Sequence, residues 1–211
     1  MKWQRIPLGP LQTNAYILAN SNKECVIFDP GGDGQKLITI LRQQGLTPLA
    51  ILLTHAHFDH IGAIDDCLAN WNIPVFIQEK EKNWLKDPAL NGSASFIPGQ
   101  EILSKAVPAI LPKEGEFSVG SFTLELFYTP GHSPGSVSYY CNELGVVFSG
   151  DALFQGSIGR TDLPGGSHEQ LLESIHKKLL SLPEETIVLS GHGPETTIEA
   201  EMDSNPFLNG F

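Results

Sequence analysis

Four side chains that can bind metals occur in one stretch of six residues, from His55 to His60. The segment Thr54-His55-Ala56-His57-Phe58-Asp59-His60 follows an apolar run and contains three histidines and one aspartate. Neutral imidazole and carboxylate are good ligands for zinc, iron and manganese. Packing alone rarely gathers so many such groups, so the segment predicts a metal site. If it is extended, alternate side chains share a side, and His55, His57 and Asp59 converge while His60 begins a helix.

Three further junctions carry the same residue types. Each follows a predicted strand: Pro130-Gly131-His132, Ser149-Gly150-Asp151 and Ser190-Gly191-His192-Gly193. Loops at strand ends are where layered sheet folds build their sites. Together the predicted ligands are His55, His57, Asp59, His60, His132, Asp151 and His192. This set is large enough for two metal ions that share a carboxylate, bring the pKa of a bridging water toward ~7 and polarise a carbonyl or phosphoryl oxygen.

Other polar and sulfur-bearing residues receive structural interpretations. His168 and His176 lie in or beside a predicted helix, so we expect them to be solvated helix residues. Cys25, Cys67 and Cys141 stand beside apolar residues and form no CxxC pair. We expect them to be free, buried thiols in a reducing compartment.

Strands outnumber helices in the predicted element order. Strands are predicted over residues 13–18, 24–28, 48–53, 74–77, 116–119, 123–129, 136–140, 145–149 and 186–189. Helices are predicted around residues 37–41, 61–71, 167–182 and 195–202, and residues 86–107 are predicted to be mostly loop. Two mixed sheets covered by helices accommodate this order, so the predicted fold class is α/β (α+β) with one domain over residues 1–211.

Composition limits the possible partners. The chain has 211 residues, 13 basic and 24 acidic, so its formal charge is 13 − 24 = −11. The excess of acid argues against nucleic acid and against an anionic membrane surface. The first residues have no apolar signal region and no apolar run could span a bilayer, so a cytoplasmic location is expected. The oligomeric state stays open.

The motifs and their order resemble the metallo-β-lactamase superfamily. The resemblance rests on Asp29-Pro30-Gly31-Gly32, the HxHxDH segment, and the Pro-Gly-His, Ser-Gly-Asp and Gly-His-Gly motifs. It implies an αββα sandwich of two mixed sheets flanked by helices. The implied assignment is His55, His57 and His132 on one metal, Asp59, His60 and His192 on the other, and Asp151 as the bridge. Asp29 is implied to lie near the metals without binding them, its alternative being a turn residue before proline.

Within the superfamily the chain is most similar to short bacterial members of the glyoxalase II group. The similarity rests on residues 148–154 and 156–162, which include Arg160. It implies hydrolysis of an S-lactoyl or other small-molecule thioester by a metal-bridging hydroxide, with Asp59 and Asp151 as catalytic residues. Arg160 is implied to contact the thiol part of the substrate, the alternative being a salt bridge with Asp162. The implied cofactors are two divalent ions, zinc first and iron or manganese as alternatives.

The chain departs from the full-length glyoxalase II enzymes at its end. Those enzymes carry a C-terminal helical domain that binds glutathione, and here the sequence stops soon after His192. Two other functions stay open: a mononuclear-iron persulfide dioxygenase of the same superfamily, and a non-catalytic metal-binding protein. Zinc β-lactamases with a cysteine ligand, and longer RNA-binding nucleases, match the chain less well.

Overall fold

A computed structural model describes residues 1–208 of the chain. Within that range the chain forms two compact units. The first comprises Met1–Leu111 with Val119–Phe122, and the second comprises Pro112–Ser118 with residues 123–208. The expectation of one domain over residues 1–211 stays a prediction, and residues 209–211 lie outside the described part.

The first unit is built on a mixed six-stranded sheet in the order β1-β2-β3-β4-β5-β6. Its strands are β1 (Lys2–Leu8), β2 (Thr13–Ala19), β3 (Glu24–Phe28), β4 (Thr47–Leu52), β5 (Val75–Ile77) and β6 (Ala109–Ile110). The first two pairings are antiparallel, and β3-β4, β4-β5 and β5-β6 are parallel. Both edge strands escaped prediction. β1 contains Pro7, which edge strands tolerate, and β6 is too short to show a period.

Short helices connect these strands. α1 (Gly34–Gln44) buries Leu37, Ile38 and Leu41 and ends at Gly45, whose φ is 66°. The predicted continuous helix over residues 61–71 is wrong, because the chain forms α2 (Phe58–Ile61) and α3 (Ile64–Leu68) instead. Between them, the Ala63 N–H donates to the Pro30 carbonyl at 2.8 Å. Residues 86–107 are largely irregular as predicted, with one short helix, α4 (Ser93–Phe96).

Apart from residues Val119–Phe122, the second unit carries another mixed six-stranded sheet, in the order β14-β13-β10-β9-β8-β7. Its strands are β7 (Gly115–Val119), β8 (Phe122–Tyr128), β9 (Val137–Cys141), β10 (Val146–Gly150), β13 (Ile187–Ser190) and β14 (Thr196–Thr197). β10 and β13 are parallel, whereas β8-β9, β9-β10 and β13-β14 are antiparallel. A separate hairpin, β11 (Leu153–Phe154) with β12 (Ser157–Ile158), was not predicted.

Two helices complete this unit. α5 (His168–Ser174) is capped by Ser167, the residue at which the predicted helix begins, since the Ser167 hydroxyl accepts the Gln170 N–H. The helix continues as a π-helix over Ile175–Leu179 and so ends three residues before the predicted residue 182. The last helix, α6 (Ile198–Ser204), begins three residues later than the predicted residue 195. The correction has a local cause, because Thr196–Thr197 pairs with β13 and the Thr197 hydroxyl caps the helix.

Each unit has its own buried apolar cluster. In the first unit it lies around Ile17, Ile27, Ile51 and Leu53, and in the second around Val147, Leu171 and Val188. The prediction of mixed α/β architecture with two mixed sheets and flanking helices is thereby confirmed. The three cysteines are free and buried, as expected. Within residues 1–208 no helix combines the length and apolarity needed to cross a membrane.

Candidate metal centre

Two parallel strands of the first unit position its ligand candidates. β3 ends at Phe28 and β4 at Leu52, and these two residues are register partners. Asp29 therefore lies beside the segment that follows β4. The Thr54 backbone N–H donates to Asp29 Oδ1 at 2.8 Å, and the Thr54 hydroxyl donates to Asp29 Oδ2 at 2.6 Å. The buried Asp29 carboxylate thus anchors the start of the histidine-rich loop.

Hydrogen bonds at Nδ1 determine which nitrogen of two histidine rings can bind a metal. His60 Nδ1 lies 3.0 Å from Asp29 Oδ2, and His55 Nδ1 lies 3.1 Å from the Thr54 hydroxyl. A carboxylate only accepts, and the Thr54 proton is already given to Asp29, so both Nδ1 atoms must be the donors. In the neutral rings Nε2 then carries the lone pair that a metal needs.

Asp59 reaches this cluster by a different route from the one predicted. It lies in the first turn of α2, not in an extended segment, so the alternation argument is wrong for this residue. The Thr13 hydroxyl donates to Asp59 Oδ2 at 2.7 Å. Gly31 lets the backbone approach closely, because a Cβ there would lie 1.8 Å from the Asp59 carbonyl oxygen.

The His57 ring packs against two other rings. Its centroid is 4.8 Å from that of His55, with the planes perpendicular, and 5.5 Å from that of Trp84. The side chain is 6% exposed. Packing against His55 and Trp84 therefore holds the His57 ring in place.

The second unit uses the same device of parallel strand ends. Gly150 at the end of β10 pairs with Ser190 at the end of β13, and the Gly191 N–H donates to the Gly150 carbonyl at 2.8 Å. Asp151 and His192 follow these two ends. Asp151 Oδ2 consequently lies 3.5 Å from His192 Nε2.

His132 is positioned by α5 and by the loop of Arg160. A Cβ on Gly131 would lie 2.3 Å from the Leu171 backbone nitrogen, and the Ser167 N–H donates to the Gly131 carbonyl at 2.7 Å. His132 Nδ1 donates to the Arg160 carbonyl at 2.8 Å. Its Nε2 then faces Asp151 Oδ2 at 3.6 Å.

The donor set fits a divalent metal. The His60 Nε2–Asp59 Oδ2 pair is also 3.6 Å apart, and separations of this size are too long for good hydrogen bonds. Ligand atoms that share a tetrahedral ion at about 2.0–2.1 Å lie roughly 3.3 Å from one another. The first unit supplies the candidates His55, His57, Asp59 and His60, the second supplies His132, Asp151 and His192, and all of these side chains are of types that bind divalent metals. In the described part of the chain, His168 and His176 belong to no group of three side chains whose donor atoms could hold a metal ion.

The Arg160 side chain forms an ion pair. Its Nε and one terminal nitrogen donate to the two carboxylate oxygens of Asp162 at 2.8 and 2.7 Å. The side chain is 51% exposed. The hydrogen bond from Arg160 lowers the pKa of Asp162 to about 2, and the same contact raises the pKa of the guanidinium. This salt bridge is the alternative that the sequence left open, and contact with a substrate stays a prediction.

Several supporting residues gave no sequence signal. Thr13, Thr54 and the Arg160 carbonyl hold Asp59, His55 and His132 respectively, yet hydroxyls and backbone carbonyls occur everywhere in a sequence. Thr54 differs from the others only in that it directly precedes His55, and this position is the one signal that could have identified it.

The chain resembles known proteins along nearly its whole length. The family model described as "Metallo-beta-lactamase superfamily" matches residues 8–192. "Probable metallo-hydrolase YqgX" of Bacillus subtilis is 59% identical over 100% of this chain and 99% of its own. "Hydroxyacylglutathione hydrolase GloC" of Haemophilus influenzae is 36% identical over 99% of both chains.

Two solved structures are also similar to this chain along nearly its whole length. The crystal structure of "BLEG-1 B3 metallo-beta-lactamase" is 60% identical, covers 99% of this chain and 100% of its own, and has a TM-score of 0.97. The structure of "TTHA1623 in a di-iron-bound form" is 42% identical, covers 97% of this chain and 100% of its own, and has a TM-score of 0.87.

Proposed function

We propose that this chain, which belongs to the metallo-beta-lactamase superfamily and has its fold, is a metal-dependent thioester hydrolase. In this proposal its substrates are S-lactoyl or related S-acyl thiols. The observation that carries the proposal is the similarity to the Haemophilus protein named a hydroxyacylglutathione hydrolase. The two proteins are 36% identical over 99% of both chains. That match spans nearly all of the relative's own length. The name is therefore borne by a protein of nearly the same length as this chain, which supports glutathione as the thiol carrier in this proposal.

The seven ligand candidates would hold two divalent ions. In this proposal His55, His57 and His132 would hold one ion, Asp59, His60 and His192 would hold the other, and Asp151 would contribute to both. When bound, such a pair lowers the pKa of water toward about 7 and polarises a carbonyl oxygen. The donor set does not distinguish zinc from iron, and the 42% identical neighbour was solved with two irons.

The chain's own side chains orient this chemistry. Asp29, the Thr54 hydroxyl and the Arg160 carbonyl accept hydrogen bonds from Nδ1 of His60, His55 and His132 respectively, which leaves Nε2 of each ring available to a metal. The Thr13 hydroxyl occupies one oxygen of Asp59 and limits how its carboxylate can turn. A thiolate is a good leaving group, so the reaction needs no strong general acid from the protein.

β-Lactam hydrolysis is the second candidate function. The neighbour titled a B3 metallo-beta-lactamase is 60% identical and superposes with a TM-score of 0.97. Amide and thioester hydrolysis both place negative charge on a carbonyl oxygen, so one metal centre can serve either. The two differ in the leaving group, because a lactam nitrogen leaves far less readily than a thiolate.

Three assays on one preparation test the proposal. Protein of known zinc and iron content is incubated without oxygen with S-D-lactoylglutathione, and separately with a chromogenic β-lactam. We expect thioester kcat/KM to exceed that for the β-lactam by orders of magnitude. The reverse ranking would assign the protein to the second candidate. Oxygen consumption with glutathione persulfide, one bound iron and no thioester cleavage would indicate a dioxygenase.

A further inference from the structure

The segment after β5, residues 78–104, forms hydrogen bonds with the backbone of the histidine-rich loop at two positions. The Ala56 N–H donates to Glu81 Oε2 at 2.7 Å, and the Phe58 N–H donates to the Asn91 carbonyl at 3.0 Å. Ala56 and Phe58 are the two neighbours of His57. The peptide group between His55 and Ala56 and the peptide group between His57 and Phe58 are therefore both fixed from the same segment.

Glu81 is an unusual residue for a structural contact. It ends the 3-10 helix Glu79–Glu81, whose other charged residues face solvent, yet Glu81 itself is 0% exposed. Gln78 caps this helix, because its side-chain oxygen accepts the Lys80 N–H at 2.6 Å. Burying an ionised carboxylate is unfavourable unless it is well hydrogen-bonded. An apolar residue would fill the same space without that penalty, so the carboxylate points to a role beyond packing.

The side chain of Asn91 forms hydrogen bonds with three backbone groups of the same segment. It is 0% exposed, and its amide donates to the Trp84 carbonyl at 3.1 Å and the Ile102 carbonyl at 2.8 Å. Its side-chain oxygen accepts the Ser93 N–H at 2.9 Å. The Asn91 carbonyl is thereby fixed where it meets the Phe58 N–H. Trp84, in the same segment, packs on the His57 ring.

We infer that Glu81 and Asn91 are positioning residues that set the geometry of His55 and His57 by fixing the backbone on either side of His57. The inference rests on the proposed metal-binding function of these histidines. Neither residue contacts a metal in this proposal. Their effect is on how closely the two imidazoles are pre-arranged for an ion, and it is expected to appear in metal affinity.

Zinc affinity without any substrate is the direct test. Metal-free protein competes with a chromophoric chelator for Zn²⁺, and the visible spectrum of the Co²⁺-loaded protein reports ligand geometry. Glu81→Leu is expected to weaken Zn²⁺ binding about tenfold or more and to change the Co²⁺ spectrum. Glu81→Gln, whose amide oxygen can still accept the Ala56 N–H, is expected to restore most of both. The matched control is Glu79→Leu, on the exposed side of the same helix, which should change neither.

Asn91→Ala provides a second, independent variant, with the exposed Asn83→Ala as its control. It is expected to weaken Zn²⁺ binding in the same direction. Wild-type affinity and spectrum in folded Glu81→Leu or Asn91→Ala would overturn the inference, as would equal losses in Glu81→Leu and Glu81→Gln.

Hydrogen exchange on the wild-type protein keeps the inference testable if these variants do not fold. The Ala56 and Phe58 amides should be protected even without metal, and fast exchange at either would overturn it. A protein that binds Zn²⁺ as expected but cleaves no thioester would reject the proposed function and leave this inference intact.

Discussion

At the scale of single residues, the orientation of histidine rings decides whether the site can bind metal. His60 donates through Nδ1 to Asp29, and Asp29 also accepts both the N–H and the hydroxyl of Thr54. One carboxylate therefore supports the ring of His60 and the start of the loop that carries His55. Removing the Asp29 carboxylate should disturb both of these ligand candidates without removing either side chain.

Asp29→Ala is expected to raise the dissociation constant for Zn²⁺ by about 10- to 100-fold, the usual effect of losing a hydrogen-bonded partner of a metal ligand. Competition with a chelator measures it. His168→Ala is the control, because His168 belongs to no metal-binding group in the described part of the chain. Unchanged affinity in Asp29→Ala would reduce Asp29 to a turn residue before Pro30.

The Arg160 guanidinium already forms a salt bridge with Asp162, so a role in binding the substrate needs its own test. If it also binds a carboxylate of the thiol, Arg160→Ala should raise KM for that thioester about 10- to 100-fold and leave kcat nearly unchanged. The comparison substrate is a thioester whose thiol carries no carboxylate, for which KM should hardly change. Equal changes for both substrates would mean that Arg160 only braces its loop through Asp162.

At the scale of elements, the hairpin β11–β12 delivers Arg160 to His132 through a close backbone contact. A Cβ on Gly159 would lie 1.9 Å from the Asp151 carbonyl oxygen and 3.1 Å from His132 Cβ. Glycine at this position therefore lets the end of the hairpin lie directly against two ligand candidates.

Gly159→Ala is expected to lower stability by roughly 1–3 kcal/mol, the usual range for overpacking, and to weaken metal binding by displacing Asp151. Thermal or urea unfolding and chelator competition measure the two effects. Gly156→Asn in the same hairpin is the control, since Gly156 has a φ of 64° and nothing within 4 Å of an added Cβ, and asparagine tolerates that φ. Unchanged unfolding and affinity in Gly159→Ala would contradict the close contact.

The elements also show what sequence patterns can and cannot predict. The strands that precede the ligand motifs have strong apolar runs, so β3, β4, β10 and β13 were predicted within one or two residues. The two-residue strands of the β11–β12 hairpin are too short to have a period, and the break between α2 and α3 depends on a tertiary contact with Pro30. Glu81 stands in the run Glu79-Lys80-Glu81-Lys82, where nothing in the letters distinguishes the buried residue from its exposed neighbours.

At the scale of the whole molecule, the three free cysteines report on whether the protein remains folded. Burial raises the pKa of Cys25 and Cys67 to about 12 and also raises the pKa of Cys141. At pH 8 a thiol with a pKa of about 12 is ionised in roughly one molecule in ten thousand, and the thiolate is the reactive form.

The native protein is therefore expected to react slowly with a thiol reagent such as an aromatic disulfide at pH 8. After unfolding in guanidinium chloride all three cysteines should react rapidly, which gives the control within one sample. A fast-reacting thiol in the folded, metal-loaded protein would show that at least one cysteine is accessible.

The most direct measurement of the proposed activity compares bound metal with thioester cleavage in the wild-type protein and in Asp151→Ala. Metal content is counted, and D-lactate and thiol are measured as they are released from S-D-lactoylglutathione without oxygen. Two ions per chain and equal amounts of both products are expected for the wild type. Asp151→Ala should lose bound metal and nearly all turnover, because in the proposed assignment this one carboxylate would serve both ions. A wild-type protein that binds two ions and releases neither product, or an Asp151→Ala variant with full metal content and full rate, would contradict a shared-carboxylate thioester hydrolase.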